Sequence, residues 1–163
     1  MFSSSVTLTH VTPVPSGMSR EDVVALLHDA EHHIKCDPNM KSWAARTPQI
    51  PPTVPKDVEP VASTQCYTVT DSVPTLLPKG IWDKDAVSDY DFTFTKDGSF
   101  VRTNSPLSVV LETRWCVRDS KDGGLELVEV VEIKCSKFLS GVVKGQCEAH
   151  WKDFHKSILE GKK

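Results

Sequence analysis

The sequence offers none of the short signatures that often mark an enzyme: no GxSxG elbow, no HExxH, no P-loop and no GxGxxG fingerprint. It also lacks a CxxC pair, and its five cysteines (Cys36, Cys66, Cys116, Cys135, Cys147) are an odd number. That spacing supports neither a zinc site nor a disulfide framework. The plain reading is small buried hydrophobes in a reducing compartment. Basic runs are missing apart from the closing Gly161, Lys162, Lys163, and the formal charge is −3. Both facts argue against a nucleic-acid or anionic-membrane partner. The opening MFSSSVTLTHV has no basic segment and no long apolar core, so neither a signal peptide nor a membrane anchor is expected, and the expected location is cytoplasmic. The histidines are too scattered to converge on a metal, and no metal or cofactor is expected. What remains is a chain of 163 residues with a balance of charged and apolar groups, long enough for one domain with a real core.

Ser5 to Val14 alternates weakly and is rich in Thr and Val, a first strand ended by Pro13 and Pro15. Ser19 and Asp22 have the spacing of a capping box and open a helix that runs to Asp37-Pro38. Its buried face holds Val23, Leu26, Leu27, Ala30 and Ile34; His28 and His32 point away, and His33 lies on the border. Asn39 to Arg46 reads as a short second helix carrying Trp43. Residues 47–60 hold five prolines and form a loop, the candidate lid. Strands are expected over 62–71, 87–95, 100–103, 109–118 and 125–135, with SVPTLLPKG as an irregular connection and Asp97-Gly98 as a hairpin turn. The alternation of the last strand slips at Val130-Val131, which predicts a bulge. A long amphipathic helix follows at about 140–160, with Val143, Cys147, His150, Trp151, Phe154 and Ile158 on one face.

Strands in a run with helices kept apart mean an α+β fold. The element order resembles the helix-grip (START/Bet v 1-like, SRPBCC) superfamily, in which a curved antiparallel sheet wraps a long C-terminal helix. TPVPSGMSREDVVALLHD (12–29), YTVTDSVPTLLPKG (67–80), DGSFVRTNSPLSV (97–109) and ETRW (112–115) resemble a fungal group of uncharacterised-domain proteins, itself similar to an aurovertin-type polyketide cyclase. The resemblance implies an internal apolar cavity, a polyketide-type ligand and a place in secondary metabolism beside a polyketide synthase, as monomer or homodimer. One departure is Leu107-Ser108, which stand where a glycine-containing turn is expected.

Candidate site residues follow from which polar groups such a fold aims inward. His150, in the middle of the apolar stripe, is the candidate base for an enolisable 1,3-diketone; His155 is expected at a solvated rim. Arg114 and Arg102, if turned inward, can hold a carboxylate or a developing enolate. Arg114 and Trp115 are neighbours on one strand, so only one of them can line the cavity. Tyr90 and Tyr67, the only tyrosines, can donate to a ligand carbonyl, whereas Asp89 and Asp91 point the opposite way. One of Glu129 and Glu132 can turn inward at the bulge, and there its pKa would rise. Phe92, Phe94, Trp115, Trp151, Phe154 and His33 complete the expected ligand-binding wall, with His33 and Lys41 near its mouth. The favoured function is a cofactor-free cyclase closing a lactone or α-pyrone-type ring on a polyketide chain. A non-catalytic carrier of a lipid or small apolar metabolite, or a pericyclic cyclase guided by shape, needs the same cavity without converging polar groups.

Overall fold

A computed structural model describes residues 3–72 and 85–161. Strand β1 (Ser3–Pro13) is followed by helices α1 (Arg20–Leu27) and α2 (Ala30–Lys35). Six strands come next: β2 (Met40–Ala45), β3 (Gln65–Asp71), β4 (Ala86–Thr95), β5 (Gly98–Ser105), β6 (Val109–Asp119) and β7 (Leu125–Ser136). The long helix α3 (Lys137–Glu160) ends the described chain. All seven strands form one antiparallel sheet in the order β1-β7-β6-β5-β4-β3-β2, with β1 and β2 at its edges.

The capping box at Ser19 is present. The hydroxyl accepts from the Asp22 amide at 3.1 Å and the Asp22 carboxylate accepts from the Ser19 amide at 2.8 Å. The helix it starts does not run on to Asp37, however. It breaks after Leu27, and Asp29 caps α2 by accepting from the His32 amide. The break turns the second half of the segment, so His32 and His33 are buried instead of facing outward or bordering the face. His32 reaches the Ile158 carbonyl at 3.0 Å, and His28 reaches that of Thr95 at 2.7 Å.

Two other local expectations are overturned. Met40 to Ala45 is an edge strand paired with β3, not a helix: Trp43 faces Val69 there and its ring meets Tyr67. Pairing tertiary contacts outweigh the weak helical preference of this short stretch. Strand β7 has no bulge, since its register with both neighbours is unbroken through Val130 and Val131. Val131 is buried on the concave side, and Val130, on the other face, is half-buried. The SVPTLLPKG connection lies almost wholly outside the described residues.

Row by row, register fixes what the concave face presents. Leu8, His10 and Thr12 of β1 pair with Val131, Glu129 and Leu127 of β7, which pair with Thr113, Trp115 and Val117 of β6. Phe92 and Phe94 of β4 are buried in the core with Leu27, Ile34 and Ile158. Phe100 is also buried, but on the convex face. The Arg102 and Arg114 guanidiniums lie over its ring at 5.3 and 5.4 Å. The proline-rich segment lies against this convex side. The Thr53 carbonyl accepts from Arg102, Asp57 accepts twice from Arg114 at 3.1 Å, and the Val61 amide donates to Phe94 O. Residues 47–60 are therefore a brace on the back of the sheet, not a lid over its concave side.

Candidate functional site

Between the concave face and α3 lies a cavity of about 650 Å³. The helix both braces and roofs it. Leu139 and Val143 pack on the sheet near one end, and His155, Ile158 and Leu159 are buried near the other. Val143 and His150 are seven residues apart, so on an ideal wheel they differ by only about 20°. The buried stripe does not stay at that angle. It steps through Leu139, Val143, Cys147, Trp151, His155 and Leu159, drifting about 40° per step as the helix crosses the sheet. By the last turns the sheet-facing angle has moved past His150. That residue is exposed at the cavity edge, with Nε2 3.1 Å from Gln146 Oε1. His155 has the position expected of His150 and is fully buried.

His155 belongs to a polar cluster that ties α3 to β1 and β7. Its Nδ1 lies 2.7 Å from the Thr12 hydroxyl and its Nε2 3.1 Å from Glu129 Oε1. The same carboxylate oxygen lies 2.9 Å from His10 Nδ1, and His10 Nε2 reaches Glu148 Oε1 at 3.0 Å. His10 stacks flat on Trp151, with ring centroids 4.6 Å apart. Glu129 is thus the inward-turned carboxylate, placed by ordinary strand alternation without a bulge.

At the opposite end stands a second polar group. Tyr90 lines the cavity, and burial, followed by the nearby Asp71 and Asp37 carboxyls, pushes its hydroxyl pKa above the usual tyrosine range. Asp71, at the end of β3, is raised to about 7, first by burial and then by the nearby Asp37 carboxyl. Asp71 Oδ1 is buried and has no hydrogen-bond partner among the described residues. Burial and a neighbouring like charge both disfavour the ionised form, so Asp71 carries a proton for part of the time near neutrality.

His33 lines the cavity within a ring of aromatics, with Phe92, Phe154 and Trp115 centroids 5.1, 5.2 and 5.6 Å away. Burial lowers its pKa to about 4, against the opposing pull of Glu129, so it is a neutral imidazole at pH 7.

Of the residues expected at the site, Tyr90, His33, Trp115, Trp151 and Phe154 line the cavity, with His150 at its edge. Arg114 and Arg102 are on the convex face, where Arg102 pairs with Glu112 at 2.7 Å and Arg114 with Asp57. Strand parity decides this: Trp115 is buried inward, so Arg114 faces out. Phe92 and Phe94 pack in the core beneath the cavity wall, and Tyr67 donates its hydroxyl to Gln65 near the surface. Asp91 and Asp89 do point outward, to Arg46. Lys41 pairs with Asp85 at the surface. Sequence reasoning missed Asp71, Asp37, His10 and Thr12. Strand parity carried the signal for three of them, since Asp71 follows Tyr67 and Val69, and His10 and Thr12 follow Leu8. Among the described residues no cluster of His, Cys, Asp and Glu could hold a metal ion, and no helix is long and apolar enough to cross a membrane.

A curved antiparallel sheet gripping a long helix around an internal cavity defines the helix-grip, Bet v 1-like fold. The solved structures agree. The chain is similar to the Zhui aromatase/cyclase of a Streptomyces species at a TM-score of 0.60 and 10% identity, covering 97% of this chain and 92% of that one. It is similar to a truncated norcoclaurine synthase from Thalictrum flavum at 0.61 and 12%, covering 98% and 94%. The same synthase in complex with dopamine and hydroxybenzaldehyde matches at 0.54 and 14%, covering 99% and 90%. The chain belongs to the family described as Domain of unknown function (DUF7053), whose model matches residues 3–163. No curated protein matches it in sequence.

Proposed function

We propose that this protein is a cofactor-independent cyclase acting on a polyketide-type chain, closing a lactone or α-pyrone-type ring inside the cavity. The observation that carries the reading is the Tyr90–Asp71–Asp37 group at one end of an otherwise largely apolar cavity. An apolar wall alone would suit a carrier. A carboxyl titrating near 7 beside a tyrosine that keeps its proton is the arrangement acid–base chemistry needs at neutral pH. Ring formation is also the work named for one solved structure of this fold, an aromatase/cyclase, and another is a synthase holding dopamine and hydroxybenzaldehyde.

In the proposed step the cavity folds a thioester-bound chain so that an enol oxygen meets the acyl carbonyl carbon. Ionised Asp71 takes the enol proton, the ring C–O bond forms, and the carbonyl electrons move onto oxygen. Tyr90 O–H donates to that oxygen as its charge develops. Collapse breaks the C–S bond, and Asp71 returns the proton to the departing thiolate. His150 at the cavity edge has no part in this step.

The test uses N-acetylcysteamine thioesters of 3,5-dioxo acids, with pyrone release followed by chromatography and mass spectrometry. The protein should accelerate release above buffer. Asp71→Asn and Tyr90→Phe should each lower the rate by about 10²-fold. Binding of the thioester with no acceleration would leave the carrier as the surviving reading.

A further inference from the structure

Glu129 takes no part in that chemistry. Tyr90 pairs with Thr103 and Thr103 with Leu111, whereas Glu129 pairs with Trp115, four residues further along β6. The two polar groups are thus roughly 13 Å apart along the strands, at about 3.3 Å per residue. Burying a carboxylate inside an apolar cavity is costly unless it is paired. Glu129 is 9% exposed and lines the cavity. Both imidazole contacts, from His10 and His155, fall on the same oxygen, Oε1. They fix the orientation of the carboxyl and leave Oε2 without a partner among the described residues. Its neighbours are neutral, and one of them, the Trp115 indole N–H, is a buried donor with no partner among the described residues. Neutral His33 is nearby within its aromatic ring, and Cys147 is a thiol whose pKa burial pushes up to about 12.

We propose that Glu129 Oε2 anchors a hydroxyl group, phenolic or enolic, at the end of the cavity ligand remote from Tyr90. The site offers a carboxylate acceptor beside the Trp115 indole donor and is walled by Trp115, Trp151 and Phe154, so it suits a hydroxyl, which can donate to the one and accept from the other, carried on a flat unsaturated or aromatic segment. This deepens the cyclase reading, on which it rests for the ligand being a substrate: the chain is oxygenated at both ends, one reacting at Tyr90 and one held at Glu129. Glu129 is then a positioning and specificity residue, and its clamp of two histidines is why the carboxylate can be kept inside the cavity.

The probes are 4-butylphenol, butylbenzene, butyrophenone and 4-phenylbutylammonium, each titrated against bound anilinonaphthalene sulfonate. Wild type should bind the phenol about tenfold more tightly than the hydrocarbon, as expected for one hydrogen bond to a charged acceptor. In Glu129→Gln the two imidazole N–H groups hold the amide oxygen and turn the NH₂ into the cavity. The preference should then pass from the phenol to the ketone. Equal binding of phenol and hydrocarbon by wild type would overturn the assignment, and that arm needs no variant. Tighter binding of the ammonium than of the phenol would overturn the hydroxyl class. A phenol preference lost in Tyr90→Phe but kept in Glu129→Gln would place the hydroxyl at the other end and sink this inference while leaving the cyclase reading intact. Conversely, the cyclase reading fails on thioester turnover, which these binding arms do not measure.

Discussion

Replacing His155 by Phe should cost far more than replacing His150 by Ala, although the two lie five residues apart on one helix. His155 is fully buried, and Phe keeps an aromatic ring there while removing both polar contacts. The Thr12 hydroxyl loses its partner, and Glu129 keeps only His10. Losing a hydrogen bond to a charged group costs about 1.5–3 kcal/mol and losing the half-buried Thr12 contact about 1 kcal/mol, so the expected loss is about 3–4 kcal/mol. Against a total stability of about 5–15 kcal/mol this is severe. With a urea dependence of about 2 kcal/mol/M, the unfolding midpoint should fall by about 2 M. His150→Ala removes one exposed contact to Gln146 and should stay within about 0.5 kcal/mol of wild type. A cycle combining His155→Phe with Glu129→Gln should show coupling of about 1.5–3 kcal/mol, the range for a hydrogen bond to a charged group. If His155→Phe unfolds within 0.5 M urea of wild type, or if His150→Ala proves the more damaging of the two, the placement of α3 against β1 and β7 is wrong.

Two titrations act in opposite directions on stability. Asp71 has a folded pKa of about 7, above its unfolded value, so its contribution is present at low pH and is lost as pH rises from about 4 to 7. Asp71→Asn should remove that decline in a pH series of urea unfolding, and a wild-type curve identical to the variant's would refute it. His33 is depressed to about 4, so stability is lost as pH falls from about 6.5 to 4, and His33→Gln should blunt that acid sensitivity in thermal melts. If Asp71 is the base, kcat/KM for the thioester should rise with an apparent pKa near 7, and Asp37→Asn should move that limb to lower pH. Gly98→Ala should disrupt the β4–β5 hairpin, because its Cβ would sit 1.8 Å from the Trp115 carbonyl oxygen, a backbone atom that no rotamer change can move. Loss of the amide-exchange protection of β5 and β6 would report it. Arg114→Ala should free Asp57 and speed proteolysis within 47–60 while leaving probe binding unchanged. Weakened binding in that variant would contradict the convex placement of Arg114.

Most of the sheet could be read from sequence, because alternation and turn residues are local signals. The capping box at Ser19, the Asp97-Gly98 turn and the inward set Leu111, Thr113, Trp115, Val117 all have their cause within a few residues. The break at His28-Asp29 and the strand Met40–Ala45 depend on what those segments pack against, which no short window contains. The site was legible only in part, for the same reason. Tyr90, His33 and Trp115 could be named, but a straight helical wheel chose His150 over His155, since the drift of the buried stripe is set by the angle at which α3 crosses the sheet. Asp71 and Asp37 come together from the ends of β3 and α2, and nothing in their spacing foretells it. The expected glycine turn also has a counterpart: Leu107 and Ser108 both adopt positive φ, at 62° and 60°, a conformation that glycine enters at less cost.

The pairing of β1 with β7 sets an order on assembly. Ser3 meets Ser136 and Pro13 meets Glu126, so this ladder joins segments more than a hundred residues apart. On the ribosome β1 emerges early and must wait, unpaired, until β7 has been made, and the His10–Glu129–His155 cluster waits further for α3. Closing so long a loop is slow, and contacts of this separation are earned late in folding. The Glu129 end of the cavity is then completed only after the whole sheet has been made. Until α3 docks there is an apolar trough with an open strand edge, and the chain is most exposed to misassembly just before its cavity closes.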